Sequence, residues 1–267
     1  MIKQLADYHI HTSFCNHANG TMKEYVKHAI SAGLSEMGFA DHNPLPAYLK
    51  NQYRMLPEDL QIYFNIICDL KNQFPQIKIR VGIELDYIEV AMNYLRRLLK
   101  EYDFDYIIGS VHYLNIDSPQ QLPYLSDCHS NKKIELFKKY FDAMEQAVET
   151  GLFDIIAHFD LPRRFWGDLD EQSVSYAIAV LELIKKNNLC LEINTSGFRT
   201  KNVEEPFPGS KFLHLAKDRE IPITLGSDAH KPVYVGSYFP EAVILLKKIG
   251  FEYVHLFSNR QRIPLKI

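Results

Sequence analysis

Residues 7–11 read Asp7-Tyr8-His9-Ile10-His11, and a further histidine, His17, follows within the next loop. In an extended backbone alternate side chains face the same way, so His9 and His11 project together from one side of the segment. Two neutral imidazoles aimed at one point form a metal clamp, and histidine is the commonest side chain for that purpose. A lone His-x-His pair also arises by chance, or from two ordinary half-buried histidines. The rest of the chain decides between these readings, because His and acidic residues keep recurring at the ends of apolar runs.

Those runs alternate with helix-period segments from one end to the other. Ser35 to Ala40 delivers Asp41-His42, Ile77 to Leu85 carries Glu84 at its end, and Tyr106 to Val111 leads to His112. Phe153 to Ala157 delivers His158 and Asp160, Leu189 to Ile193 opens the loop Asn194 to Gly209, and Ile221 to Gly226 delivers Asp228 and His230. A helix is expected from Met22, with Thr21-Met22-Lys23-Glu24 as its capping box and Gly33 as its stop. Others start near Pro57, with Leu60, Phe64, Ile67 and Leu70 on one face, and cover Ala91 to Lys100, Lys132 to Glu149, Glu171 to Lys186, Lys211 to Lys217 and Glu241 to Ile249. A short strand, Tyr253 to Phe257, and a basic tail close the chain.

That makes about seven βα units with no composition break, so residues 1–267 are expected to form a single α/β domain. Repeated βα units imply a parallel sheet. This many suggests a closed or nearly closed barrel, with the doubly wound open sheet as the alternative. No Gly-x-Gly-x-x-Gly follows the first strand, which removes the usual reason to prefer a dinucleotide fold.

Composition narrows the function. With 46% hydrophobic and 24% charged residues the chain is an ordinary globular protein. A net charge of −3 argues against a general nucleic-acid or anionic-membrane surface. Neither a signal-type apolar core nor a run of 18 apolar residues occurs, so a cytoplasmic location is expected. No feature speaks to oligomeric state. The four cysteines are widely spaced and lack the Cys-x-x-Cys of a thiolate zinc site. Cys68 and Cys190, in apolar runs, are expected in the core. Cys15 lies in the His-rich loop and is read as an unligated thiol.

In a parallel barrel the loops after the strands share one face, where active sites gather. His9, His11, His17, His42, Glu84, His112, His158, Asp228 and His230 would therefore meet in one pocket. Seven of the eleven histidines are in this set; any one could be a solvated loop residue, but nine such positions in the same relative place are poorly explained by chance. His28, His129, His214 and His255 are read as surface or packing residues. A catalytic zinc typically takes about three protein ligands, so nine would serve two or three ions sharing a carboxylate. Three divalent ions less two carboxylates leave a charge of about +4, or about +3 with a bridging hydroxide, on neutral imidazole ligation. Such a pocket suits a polyanion, and a phosphate monoester fits. Bound metal also lowers the pKa of water to about 7, supplying a nucleophile without Ser or Cys.

Asp-x-His-x-His followed by His17, Ala40-Asp41-His42, Gly82-Ile83-Glu84, Gly109-Ser110-Val111-His112, Ala157-His158-Phe159-Asp160 and Gly226-Ser227-Asp228-Ala229-His230 together resemble the PHP (polymerase and histidinol phosphatase) superfamily. The resemblance covers essentially the whole chain and implies a distorted (β/α)7 TIM-like barrel with three divalent ions (Zn, Mn or Fe). It implies that His9, His11, Glu84 and Asp228 hold one ion, Glu84, His112 and His158 a second, and His17, His42 and His230 a third. Within the superfamily, Asp41-His42-Asn43-Pro44-Leu45-Pro46, Glu84-Leu85-Asp86-Tyr87, the run Asp105 to Tyr113 and Glu192-Ile193-Asn194-Thr195-Ser196-Gly197 look most like histidinol-phosphate phosphatases. The loops Asn43–Leu56 and Leu114–Asn131 are also of that type and would form the pocket for an imidazole-bearing substrate.

The expected reaction is hydrolysis of a small phosphate ester, L-histidinol phosphate, by a metal-bridging hydroxide. Arg163 or Arg164 and Arg199 are candidates by position to fork onto phosphate, although a surface role is as common for a single arginine. Asp160, or else Asp41, would protonate the leaving oxygen; either could instead orient a ligand histidine. Asp117 would meet the substrate ammonium. A PHP phosphodiesterase or nuclease is the alternative, but no basic stripe or aromatic platform for long nucleic acid is present. An amidohydrolase or deaminase commonly bridges its metals with a modified lysine where this chain has Glu84. A metal-binding barrel without activity is the remaining class.

Overall fold

A computed structural model describes residues 4–49, 53–114, 123–129 and 132–267. Seven strands pair in sequence order, each parallel to the next. They are β1 (Ala6–Asp7), β2 (Glu36–Phe39), β3 (Lys78–Asp86), β4 (Tyr106–Ser110), β5 (Ile155–Ile156), β6 (Cys190–Asn194) and β7 (Ile223–Gly226). The two edges of this sheet meet. His11 N–H donates to the Ala229 carbonyl at 3.0 Å, and Ala229 N–H donates to the His9 carbonyl at 3.1 Å. The fold is therefore a barrel rather than an open sheet, and the junction carries His9 and His11 on one side and Asp228 and His230 on the other.

The outer ring consists of α1 (Met22–Ser31), α2 (Leu60–Gln73), α3 (Met92–Glu101), α4 (Lys133–Glu149), α5 (Arg163–Trp166), α6 (Glu171–Lys186), α7 (Ser210–Asp218) and α8 (Phe239–Ile249). The capping box at Thr21 forms: Glu24 N–H donates to the Thr21 hydroxyl at 3.3 Å, and Thr21 N–H donates to the Glu24 carboxylate at 2.6 Å. Asp170 caps α6 by accepting from Ser173 N–H at 2.7 Å. The four-residue α5 carries no periodicity of its own and was not expected from sequence.

Period-two alternation builds the barrel interior as a gradient. Tyr106, Ile108, Ser110 and His112 share one parity along β4, as do Gly82, Glu84 and Asp86 on β3 and Cys190, Glu192 and Asn194 on β6. The lower positions are apolar and the upper ones polar, so each interior row ends in a functional side chain. Tyr106 fills the floor, its hydroxyl donating to the Tyr8 carbonyl at 2.7 Å. A Cβ at Gly38 would lie 2.2 Å from its hydroxyl oxygen and one at Gly82 2.3 Å from its ring, which is why those strands carry glycine there.

Two expectations are corrected. The terminal segment is not a free basic tail: β8 (Tyr253–Ser258) and β9 (Gln261–Lys266) form an antiparallel hairpin. Its two-residue turn, Asn259-Arg260, takes positive φ at both positions, 49° and 63°, as a hairpin turn of this length requires. Phe257 from this hairpin packs edge-on against Tyr8 at 5.9 Å and plugs the barrel floor. Cys68 is exposed, not in the core, because it lies on the outer face of α2, whereas Cys190 is buried. His28, His129 and His214 are exposed, while His255 packs against β7 with Nδ1 3.1 Å from the Ile223 carbonyl. Among the described residues, no helix is long and apolar enough to cross a membrane.

Candidate metal centre

The strand ends deliver nine donors to one place around Glu84. Strand β2 continues past its last ladder pair, so that His42 bridges to Glu84 backbone to backbone. Glu84 is fully buried. Its Oε2 lies 2.9 Å from His42 Nδ1, 3.4 Å from His9 Nε2 and 3.6 Å from His11 Nε2. Its Oε1 lies 3.2 Å from His158 Nε2 and 3.7 Å from His112 Nε2. Asp228 Oδ1 faces His11 Nε2 and His230 Nδ1, both at 3.3 Å. His17, His42 and His230 form a separate group with ligand atoms within 4.8 Å of one another, as do His9, His11 and Glu84.

Two donors sit on backbone that L-residues seldom adopt, with φ of 22° at His158 and 52° at Asp228. Such conformations persist where surrounding structure over-determines them, and they gather at functional sites.

The donors satisfy one another only in part, as where His158 Nε2 meets Glu84 Oε1. His9 Nε2, His42 Nδ1, Glu84 Oε2, His158 Nδ1 and His230 Nε2 are buried without a hydrogen bond to any described residue, the 2.9 Å approach of His42 to Glu84 being too far off line to make one. Buried polar atoms are ordinarily paired, and five orphans in one cluster are a deficit that cations remove. The donor set of imidazoles and carboxylates fits divalent transition ions.

Electrostatics point the same way. Burial opposes charge on His9, but Glu192, Glu84 and Asp228 outweigh it and raise that imidazole well above its ordinary range. His11 and His112 are likewise raised despite burial, His11 chiefly by Asp228 and Asp41 and His112 by Asp86 and Glu84. His42 goes the other way: burial pushes it down to about 3, beyond what Glu84 restores. Glu84 and Asp228 are held well below the usual carboxylate range by the surrounding histidines, against the effect of burial. A negative centre enclosed by imidazoles is what a cluster of cations would balance.

Behind the donors stand carboxylates that fix their orientation. Glu192 Oε1 lies 2.6 Å from His9 Nδ1, and its Oε2 accepts the His158 backbone N–H at 2.9 Å. Asp86 Oδ1 lies 2.9 Å from His112 Nδ1. Sequence reading missed both roles; their only local signal was interior parity with Cys190 and with Glu84. Asp41 has the same character, with Oδ1 3.3 Å from His11 Nδ1 while Oδ2 accepts the Thr12 N–H at 3.0 Å. Those partners lower its carboxyl against the pull of burial.

The remaining candidates fall as follows. Asp160 is buried, raised by that burial, and its Oδ2 accepts from Arg163 Nη1 and Gly209 N–H, both at 3.0 Å. Arg163 is also paired with Glu205 at 2.6 Å and Asp168 at 3.2 Å, so all three of its nitrogens are engaged. The Arg164 side chain is exposed and makes no hydrogen bond or ion pair with a described residue, its guanidinium resting over Phe165. Arg199 lies half-buried beside Asp228, donating to the Ser227 carbonyl at 2.7 Å and the Ser237 hydroxyl at 2.6 Å, with Tyr234 beneath it. Asp117 lies outside the described residues. Cys15 is buried beside His11 and His230, its thiol donating to the Thr12 carbonyl at 3.0 Å.

The family profile of the PHP domain matches residues 7–196. The chain belongs to the PHP family. A probable histidinol-phosphatase of Deinococcus radiodurans is 37% identical, over 97% of this PHP chain and 99% of its own length. The histidinol-phosphatase of Bacillus subtilis is 29% identical over 87% of this chain and 96% of its own. The crystal structure of histidinol phosphate phosphatase from Lactococcus lactis, complexed with zinc, L-histidinol and phosphate, superposes with a TM-score of 0.80 at 24% identity, covering 97% of this chain and 99% of that one. That last likeness is one of fold. The PHP match stops before Asp228 and His230, which reach the centre because β7 closes against β1.

Proposed function

We propose that this PHP protein is a metal-dependent phosphomonoesterase that hydrolyses L-histidinol phosphate to L-histidinol and phosphate. The observation that carries the substrate is the full-length likeness, at 37% identity, to a probable histidinol-phosphatase. The convergence of nine donors on Glu84 supports the metal chemistry.

His9, His11, Glu84 and Asp228 would hold one ion, Glu84, His112 and His158 a second, and His17, His42 and His230 a third. Glu84 is suited to the shared position because both of its oxygens face histidines. Divalent zinc, manganese or iron bound there supplies Lewis acidity and activates water near neutral pH. Glu192, Asp86 and Asp41 keep His9, His112 and His11 turned toward the centre.

Arg199 and Arg164 are assigned to the phosphate. Arg199 is anchored to the backbone that presents Asp228, and Arg164 is uncommitted, whereas Arg163 is taken up by three carboxylates. The Asp160 carboxyl, raised by burial, suits proton delivery to the leaving oxygen better than Asp41, whose carboxylate is held ionised by its partners. Tyr124 stacks parallel to His112 at 5.8 Å and Tyr53 meets His17 edge-on at 5.5 Å, so both rings offer walls to a substrate imidazole. Four unpaired thiols support the reducing environment of a cytoplasm.

The test is phosphate release by protein purified with its native metals, with L-histidinol phosphate beside other phosphate esters and bis-p-nitrophenyl phosphate. Preference for histidinol phosphate is expected. A full metal complement with diesters or nucleotides preferred would overturn the substrate and leave the centre standing.

A further inference from the structure

A guanidinium is buried at the rim of the centre. Arg54, 3% exposed, enters from the segment between His42 and α2 and pairs with fully buried Asp86. Its Nη1 donates to Asn43 Oδ1 at 3.0 Å, and its Cζ lies 5.1 Å from the centroid of the Tyr113 ring. Desolvation commonly offsets the attraction within a buried ion pair, so stability alone does not account for one.

The second oxygen of Asp86 indicates what the pair does. Asp86 Oδ1 accepts the His112 backbone N–H at 3.0 Å and lies 2.9 Å from His112 Nδ1. With Nδ1 engaged there, His112 turns Nε2 toward Glu84. Asn43 Oδ1 also accepts the Asp86 N–H at 3.0 Å, which locks the carboxylate's own strand end. Arg54 thus sits one carboxylate behind a donor histidine.

The same short stretch reaches the other donors. The Arg54 carbonyl accepts from Asn16 Nδ2 at 3.1 Å, beside His17, and Met55 N–H donates to the His42 carbonyl at 3.4 Å. Residues 53–55 therefore touch the loops that carry His17, His42 and His112.

We propose that Arg54 is a positioning residue for the metal centre: through Asp86 it keeps His112 aimed at Glu84, and it makes the docking of residues 53–55 a condition of that aim. This rests on reading the donors as metal ligands, and not on the identity of the substrate.

The test compares metal-loaded wild type with Arg54→Met and Arg54→Lys by elemental analysis, by the absorption bands of the cobalt-substituted proteins, and by kcat and KM. Arg54→Met is expected to hold one ion fewer, to show altered cobalt bands, and to lose about 10–100-fold in kcat, the usual effect of removing a residue behind a ligand, with KM little changed. Arg54→Lys keeps a cation opposite Asp86 and is expected to recover most of both. A folded Arg54→Met with full metal, wild-type bands and unchanged kcat overturns the proposal. So does equal loss of all ions in both variants with a lower Tm, the mark of a merely structural role. Should Arg54→Met fail to fold, Asn43→Ala loosens the same hold without unpairing a buried charge; shifted cobalt bands support the proposal and wild-type bands overturn it. Metal counts and spectra need no substrate, so failure of the substrate assignment would be distinguishable.

Discussion

Glu192 stands directly behind His9, its Oε1 2.6 Å from the imidazole Nδ1, with both side chains sealed from solvent. The pairing leaves Nε2 as the atom turned into the centre and ties the last third of the chain to the first ten residues. Replacing Glu192 with Gln is expected to weaken metal binding or activity by about 10–100-fold, as for other carboxylates that orient a ligand histidine. Metal content after dialysis and kcat would check it; wild-type values for both would remove Glu192 from that role.

Gly226 is glycine for the same pair's sake. A Cβ there would come 2.0 Å from Glu192 Oε1 and 2.8 Å from His9 Cβ. Gly226→Ala should therefore displace the Glu192–His9 unit, costing metal affinity and an overpacking penalty of about 1–3 kcal/mol. Metal titration with thermal unfolding tests both parts, and an unperturbed metal affinity would show that the strand can yield.

The arginines should separate into two classes. Arg199→Ala and Arg164→Ala are expected to raise KM by about 10–100-fold, the loss of a charged hydrogen bond of about 1.5–3 kcal/mol, with metals retained. Arg163→Ala leaves buried Asp160 without its cation, so its expected effect is a lower stability by about 3–5 kcal/mol. Steady-state kinetics and denaturant unfolding on the three variants distinguish these outcomes.

His255 makes stability pH-dependent away from the centre. Burial, aided by Arg262 and against its bond to the Ile223 carbonyl, lowers this imidazole below 6.5. A depressed folded value means its contribution is present above pH ~6.5 and lost as pH falls toward the folded value, because the unfolded chain takes up the proton more readily. Wild type should lose Tm below that pH more steeply than His255→Gln. Parallel curves would exclude His255 as the source.

The clustering of histidines and carboxylates at the strand ends, and the barrel, were legible in sequence because both depend on local order. His9 and His11 face one way through a two-residue period, His42, His112, His158 and Asp228 each follow an apolar run that paired as a parallel strand, and Glu84 lies near the end of another. The terminal hairpin was not legible, since Asn259-Arg260 lacks the glycine that usually marks a two-residue turn. Cys68 misled because an apolar run on a helix also supplies its outward face.

By itself, then, the sequence determined which residue types end which strands, and through them the βα order, the parallel sheet and the chemistry of the strand-end cluster. Only the tertiary structure decided the partners: Glu192 behind His9, Arg54 behind Asp86, and three carboxylates around Arg163 that leave Arg164 uncommitted. The physical reason is distance along the chain. A strand or a cap is set by neighbours within a few residues, whereas a buried carboxylate's hydrogen bonds are set by whichever strand end the closed barrel brings opposite it.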